Sequence, residues 1–154
     1  MVRQSAGILL YRVHNCIPEV LLVHPGGPFW KNKDNGAWSI PKGEITDEEE
    51  PLEAALRELQ EETGITVKKG ACILLNTVKQ KSGKQVIAWA MKGDLNTDQI
   101  QSNFFEMQWP PKSGNMQSFP EVDKAGWFNL SEAKEKINPA QVALIDELAA
   151  LLKA

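Results

Sequence analysis

Two apolar runs open the chain. Ser5 to Arg12 (SAGILLYR) and Glu19 to His24 (EVLLVH) are rich in Ile, Leu and Val and predict strands, with HNCIP as the turn between them. The stretch that follows, HPGGPFWKNKDNGAWSIPKG, is broken by glycine and proline too often for a regular element. Loops of that length tend to carry function. A helix is predicted next, from Glu48 to Thr63: Thr46 or Asp47 is placed to cap it, the acids after them suit its positive end, and Pro51 is tolerated in a first turn. Good helix formers fill its middle and Gly64 stops it. Ala71 to Lys79 and Gln85 to Lys92 predict a hairpin around KSGK, and Asn103 to Trp109 another strand. PPKSGNMQSFP predicts a second long loop, and Gly126 to Asn129 a short strand. Ser131 is placed to cap one helix, and NPAQVALIDELAALLK predicts a closing amphipathic helix. Strands and helices mixed in this way predict α/β or α+β layers. Without repeats or a linker, one domain over residues 1–154 is expected.

Composition adds exclusions. At 42% hydrophobic and 24% charged residues the chain is ordinary globular material. No apolar run approaches the roughly 18 residues of a membrane span, so no membrane partner is expected. MVRQSAGILLYR alternates like a strand and no small-residue cleavage site follows cleanly, so no secretory leader is expected. Cys16 and Cys72 have no metal-type spacing, so reduced thiols and a cytoplasmic location are expected. A net charge of −3 without a basic cluster argues against duplex nucleic acid as a partner.

The candidate chemistry lies in GEITDEEEPLEAALRELQEETGI, Gly43 to Ile65, which holds nine acidic residues and one basic one. On a helix turning about 100° per residue, Glu62 falls about 40° to one side of Glu58 and Glu61 about 60° to the other. Ala54 and Ala55 share that arc, where small neighbours would leave room for a ligand. Leu52, Leu56 and Leu59 form a separate apolar stripe expected to face the core. Like charges this close destabilise a helix unless something compensates them. An all-oxygen ligand set suits Mg²⁺, Mn²⁺ or Ca²⁺ rather than zinc.

The spacing Gly43, five residues, Glu49, seven residues, Arg57-Glu58-Leu59-Gln60-Glu61-Glu62-Thr63-Gly64-Ile65 resembles the Nudix box, G-x5-E-x7-R-E-U-x-E-E-x-G-U with U aliphatic, at every fixed position. SAGILLYR, AWSIPKGEI and AGWFNLSEA are similar to the family's first strand, its run into the box, and its late strand and helix start. The resemblance implies a mixed β-sheet sandwiched between helices, with the box as loop–helix–loop. It also implies metal-dependent hydrolysis of a nucleoside diphosphate linked to another group, with Mg²⁺ as cofactor and Mn²⁺ as substitute. By position it implies that Glu58, Glu61 and Glu62 bind metal or activate water. Gly43 would offer a carbonyl to metal, Arg57 would orient a box glutamate, and Glu49 would be a structural partner. The family often adds a later acid, for which Glu121 is the first candidate and Glu106 the second.

Outside the box, Lys42 is a candidate for a substrate phosphate. Phe29, Trp30 and Trp109 lie in or beside the long loops, where aromatics stack on a nucleotide base. Trp38, Trp89 and Trp127 are expected on strands in the core, and Tyr11, His14 and His24 in structural roles. The family's ADP-ribose type often has a proline, and its dinucleoside polyphosphate type a tyrosine, near the position of Lys81; neither is present, and the NADH and coenzyme A signatures are missing. The expected substrate is therefore a nucleoside triphosphate or a dinucleoside polyphosphate, cleaved to release a nucleoside monophosphate. An ADP-ribose-type substrate, or a catalytically silent nucleotide sensor, is the alternative.

Overall fold

The computed structural model describes residues 3–46 and 48–153. Its centre is β1 (Gln4–His14), joined through a tight turn at Asn15 and Cys16 to antiparallel β2 (Ile17–Pro25). A short β3 (Lys42–Glu44) pairs with the first part of β1, along the same edge that β2 occupies further on. On the other edge β1 runs parallel to β6 (Gln85–Lys92), which also carries antiparallel β4 (Cys72–Leu74) and β5 (Val78–Lys79). β9 (Val122–Asn129) pairs antiparallel with β2 and completes a seven-stranded mixed sheet. β7 (Phe104–Gln108) and β8 (Met116–Pro120) form a separate hairpin.

Helices cover both faces, which is why β1 and β2 read as near-continuous apolar runs. Successive β1 side chains alternate between two cores. Ala6, Ile8 and Leu10 meet Leu21, Met91 and helix α1 (Pro51–Thr63) on one face. Leu9 joins Val20, Leu22, Trp38 and Ile40 beneath α2 (Leu130–Lys136) and α3 (Val142–Lys153) on the other. This is the expected layering of a mixed sheet between helices. No helix among the described residues is long and apolar enough to cross a membrane.

Several expectations are corrected. First, α1 begins at Pro51 rather than Glu48, with Glu50 at its N-cap position and no side-chain cap. Thr46 donates instead to Glu49 Oε1 at 2.8 Å, and Glu48 has φ 69°, which takes it out of a helix; Asp47 lies outside the described residues. Second, the second half of PPKSGNMQSFP is strand β8, because Phe119 finds a cross-strand partner in Phe105 that the loop-like composition hid. Third, Asn129, not Ser131, caps α2, accepting from Glu132 N at 2.8 Å. Fourth, the glutamates and the core are not on separate faces of α1. Ala54 and Ala55 are fully buried, Leu59 is 2% exposed and Glu58 8%, whereas Leu52 and Leu56 are only half-buried. The alanines leave no room beside the acids; they let the helix settle onto the sheet and carry Glu58 down with it. Of the expected core tryptophans, Trp38 is buried but lies in the long loop, held by a single bridge to Ile137, while Trp89 and Trp127 are half-buried on strands.

Candidate active site

The site is built where the second half of α1 faces β3. Gly43 sits opposite Ala6 in the β1–β3 pairing, on the α1 side of the sheet. A Cβ at Gly43 would overlap the carboxylate of Glu58, so the absence of a side chain here makes the seat for that group. One turn on, Glu62 Oε1 accepts the backbone N–H of Lys42 at 3.3 Å. Glu62 thus fastens α1 to β3 by a hydrogen bond, while Glu58 packs against Gly43.

Arg57 holds the outer side. Its Nε and Nη2 donate to Glu49 at 2.8 and 3.0 Å, Nη1 to Glu58 at 2.8 Å and to Glu61 at 3.0 Å, and Nη2 also to the Glu44 carbonyl at 3.3 Å. All five guanidinium hydrogens are thereby used. The Arg57 hydrogen bonds, helped by Thr46, hold the Glu49 carboxyl down at about 2. Glu49 precedes the helix, and its contacts are with Arg57 and Thr46, as a structural partner's would be.

Beneath this network the charges are not balanced. Burial, then the charge of Glu58, pushes the Glu62 carboxyl up to about 8. Burial also raises Glu58, outweighing the help of Arg57, and Glu121 adds repulsion to both. Glu121 lines the same small cleft as Lys42 and Glu62, about 150 Å³ in volume, between the ends of β2 and β9. Its backbone is tied on two sides: Gly26 N–H donates to its carbonyl at 2.9 Å, and its own N–H donates to the Asn103 carbonyl at 2.8 Å. Asn103 N–H in turn donates to the Glu61 carbonyl at 3.1 Å, so the late acid and the helix are linked through one residue. Glu106 is exposed on β7 and lies outside this cleft. A groove of about 290 Å³ on the other flank of α1, lined by Leu56, Ile65, Val67 and Lys69, has Glu53 as its only acid and is not the chemical site.

The oxygen donors fit a hard divalent cation, which would relieve the repulsion among Glu58, Glu62 and Glu121. Among the described residues no three acids already converge as a ligand set. Arg57 accounts for part of this, since it draws Glu58 and Glu61 toward itself. Lys42 carries no ion pair within 4.0 Å among the described residues. Its ammonium is depressed by burial and then by the nearby charge of Lys84, which is itself engaged with Glu44 at 3.2 Å.

Of the aromatic candidates, Phe29 and Trp109 meet across the two loops. Phe29 is 58% exposed and meets Trp109 edge-on at 5.4 Å, while Trp30 is 40% exposed with the Lys33 ammonium 5.1 Å over its ring. Gly27 allows this: at φ 97° its missing Cβ leaves room for Phe105 of β7. The sequence did not single out Asn103 or Lys84, because their parts depend on register and on a backbone hydrogen bond, which no residue pattern announces.

The family model for the NUDIX domain matches residues 1–148. The chain belongs to the NUDIX family. It is 35% identical over 100 residues to an asymmetrical bis(5'-nucleosyl)-tetraphosphatase of Rattus norvegicus, covering 58% of this chain and 64% of that one. It is 31% identical over 115 residues to an RNA pyrophosphohydrolase of Vibrio vulnificus, covering 71% and 67%. An 8-oxo-dGTP diphosphatase of Proteus vulgaris is 50% identical over 48 residues, 31% of this chain and 41% of that one. The matched segments thus span 41% to 67% of the length of these curated relatives. Among solved structures, a Caenorhabditis elegans Ap4A hydrolase binary complex superposes with TM-score 0.72 at 24% identity, covering 97% of this NUDIX chain and 98% of the other. A MutT protein from Methanosarcina mazei Go1 gives TM-score 0.65 at 20% identity, covering 99% and 96%; at these identities the likeness shows the fold.

Proposed function

We propose that this NUDIX protein is a Mg²⁺-dependent hydrolase of phosphoric anhydrides in nucleoside polyphosphates, with Mn²⁺ able to substitute. The substrates favoured are nucleoside triphosphates and dinucleoside polyphosphates, cut at a P–O–P bond to release a nucleoside monophosphate. The observation that carries the reading is the cleft shared by Glu62, Glu121 and Lys42, with Glu58 seated against Gly43 beside it. One class of ligand needs carboxylates and a lysine in one place: a metal-bound polyphosphate. The names of the relatives, a tetraphosphatase, an RNA pyrophosphohydrolase and an 8-oxo-dGTP diphosphatase, all concern phosphate chains on nucleosides.

Each residue then has a task. Glu58, Glu62, Glu121 and the Gly43 carbonyl would hold the metal. When bound, it would supply charge to neutralise phosphate oxygens and to acidify water. Glu58, held by Arg57 beside Gly43, takes the proton of the attacking water. Glu61, on the rim, is the alternate acceptor. Arg57 fixes the orientation of both carboxylates. Lys42 meets the phosphate chain, and Trp30, Trp109 and Phe29 present aromatic surface to the base. The test is a time course with product identification on a nucleoside triphosphate, a dinucleoside tetraphosphate and ADP-ribose, with and without metal. Activity confined to ADP-ribose would move the substrate class. Nucleotide binding without turnover would make the protein a sensor.

A further inference from the structure

His24 lies near the end of β2, 1% exposed, yet both of its ring nitrogens are in use. Nδ1 is 2.8 Å from Asp123 Oδ1 on β9, and Nε2 is 2.7 Å from the carbonyl oxygen of Lys33 in the long loop. Each ring nitrogen thus has an oxygen within hydrogen-bond distance, one on each side of the ring. Packing alone would be served better by an apolar side chain, because a buried polar ring is costly unless its bonds are made.

The two contacts lead to two different parts of the site. β2 and β9 pair His24 with Lys124 and then shift, so that Pro25 faces Val122. Asp123 is the extra residue of that bulge. Bulges bend a strand and re-aim its neighbours. The bulge comes directly after Glu121, whose carbonyl is bound by Gly26, two residues from His24. On the other side, Lys33 N–H closes a turn onto the Trp30 carbonyl at 3.0 Å, and the Lys33 ammonium lies over the Trp30 ring. One imidazole therefore touches both the bulge beside the late acid and the turn that presents the aromatic surface. The ring edge against Trp38, 5.2 Å between centroids, fixes its plane.

We propose that His24 is a positioning residue for both halves of the site. Through Asp123 it sets Glu121 in the acid cleft; through the Lys33 carbonyl it sets the loop that carries Trp30. The assignment of those halves to metal and base rests on the function proposed above. The geometry gives a clean dissection, since an amide side chain can replace only one nitrogen at a time. His24→Asn keeps a donor toward Asp123 and loses Lys33. His24→Gln reaches toward Lys33 and loses Asp123.

The experiment measures Mn²⁺ affinity by calorimetry and kcat and KM on the best nucleotide, for both variants and for Asp123→Asn and Asp123→Ala. His24→Gln should weaken Mn²⁺ binding about tenfold, the scale of one lost hydrogen bond to a charged group, and lower kcat. His24→Asn should leave Mn²⁺ affinity near wild type and raise KM by about tenfold. Asp123→Asn, which keeps an acceptor oxygen, should recover most of the Mn²⁺ affinity that Asp123→Ala loses. A general loss of folding would move all parameters together in both variants, and that result overturns the proposal, as does no change in either. If the wild type hydrolyses no nucleotide, the functional reading fails by itself. The Mn²⁺ measurements then decide: weakening in His24→Gln but not His24→Asn supports the positioning role, and equal affinities overturn it.

Discussion

Gly43→Ala adds one methyl group at the point where β3 and α1 are closest to the chemistry. Gly43 does not use positive φ, and its backbone pairs with Ala6 in ordinary strand register, so alanine costs nothing in conformation. The added Cβ falls inside the Glu58 carboxylate. To regain the ~3.5–4.0 Å of ordinary contact, that carboxylate must retreat by about an ångström or more. It is the end of a flexible side chain, so the helix need not move. Misplacing a catalytic group on this scale costs about 100-fold in rate. The fold should barely register the change: a difference of about 1 kcal/mol would shift Tm by only ~2–4 °C in a domain of this size. Steady-state phosphate release at saturating Mg²⁺ beside a thermal melt separates the two effects. Glu58→Asp, one methylene shorter, makes room for the methyl. The double variant should therefore be less impaired than the product of the single losses, the signature of two groups in contact. Full kcat in Gly43→Ala with an unchanged melt would refute the idea that this glycine exists to seat Glu58.

Glu58→Gln, Glu61→Gln and Glu62→Gln should each lose most turnover at saturating Mg²⁺ while remaining folded; near-normal rates in all three would dissolve the metal-site reading. Leu59→Ala should destabilise by roughly 2–5 kcal/mol in urea melts, as buried leucines do. Leu56→Ala, half-buried at the edge of the interface, should cost under about 2 kcal/mol, and equal losses would mean the burial of α1 has been misjudged. In metal-free protein the native state holds a proton on Glu62, raised to about 8, that the unfolded chain gives up near 4.5. Stability should therefore fall as pH rises from about 4.5 through about 8. Glu62→Gln should flatten that slope, and Mg²⁺ should counter it; superimposable pH profiles for the two proteins would show that Glu62 is not so perturbed.

The parts of the fold that follow from local pattern were legible. Strands β1, β2 and β6, the box helix and the closing helix announce themselves by apolar periodicity and by stop signals such as Gly64. Glu58, Arg57 and Glu62 were legible through the spacing of the motif, and the structure brings them to one corner of the sheet. The rest depended on long-range partners. β8 exists because Phe119 meets Phe105, and α1 starts late because Thr46 and Glu49 turn toward each other. The helical wheel marked Ala54 and Ala55 as space for a ligand, but the sheet claimed that space. Placing the acids in the half-buried angle between helix and strand required knowing that Gly43 lies opposite Ala6. The Asp123 bulge, which puts that carboxylate on His24, is a matter of register between β2 and β9 and leaves no trace in composition.

The most direct test of the central claim follows one reaction to its products. Dinucleoside tetraphosphate or nucleoside triphosphate is incubated with the wild type and with Glu62→Gln, each with Mg²⁺ and with chelator, and the nucleotides are separated over time. The account predicts that a nucleoside monophosphate accumulates only with wild type and only with metal. It also predicts a rate that climbs from neutral toward alkaline pH, because water on Mg²⁺ is still a weak acid at neutrality. Release of phosphate from simple monoesters alone, or turnover that survives the chelator, would contradict it.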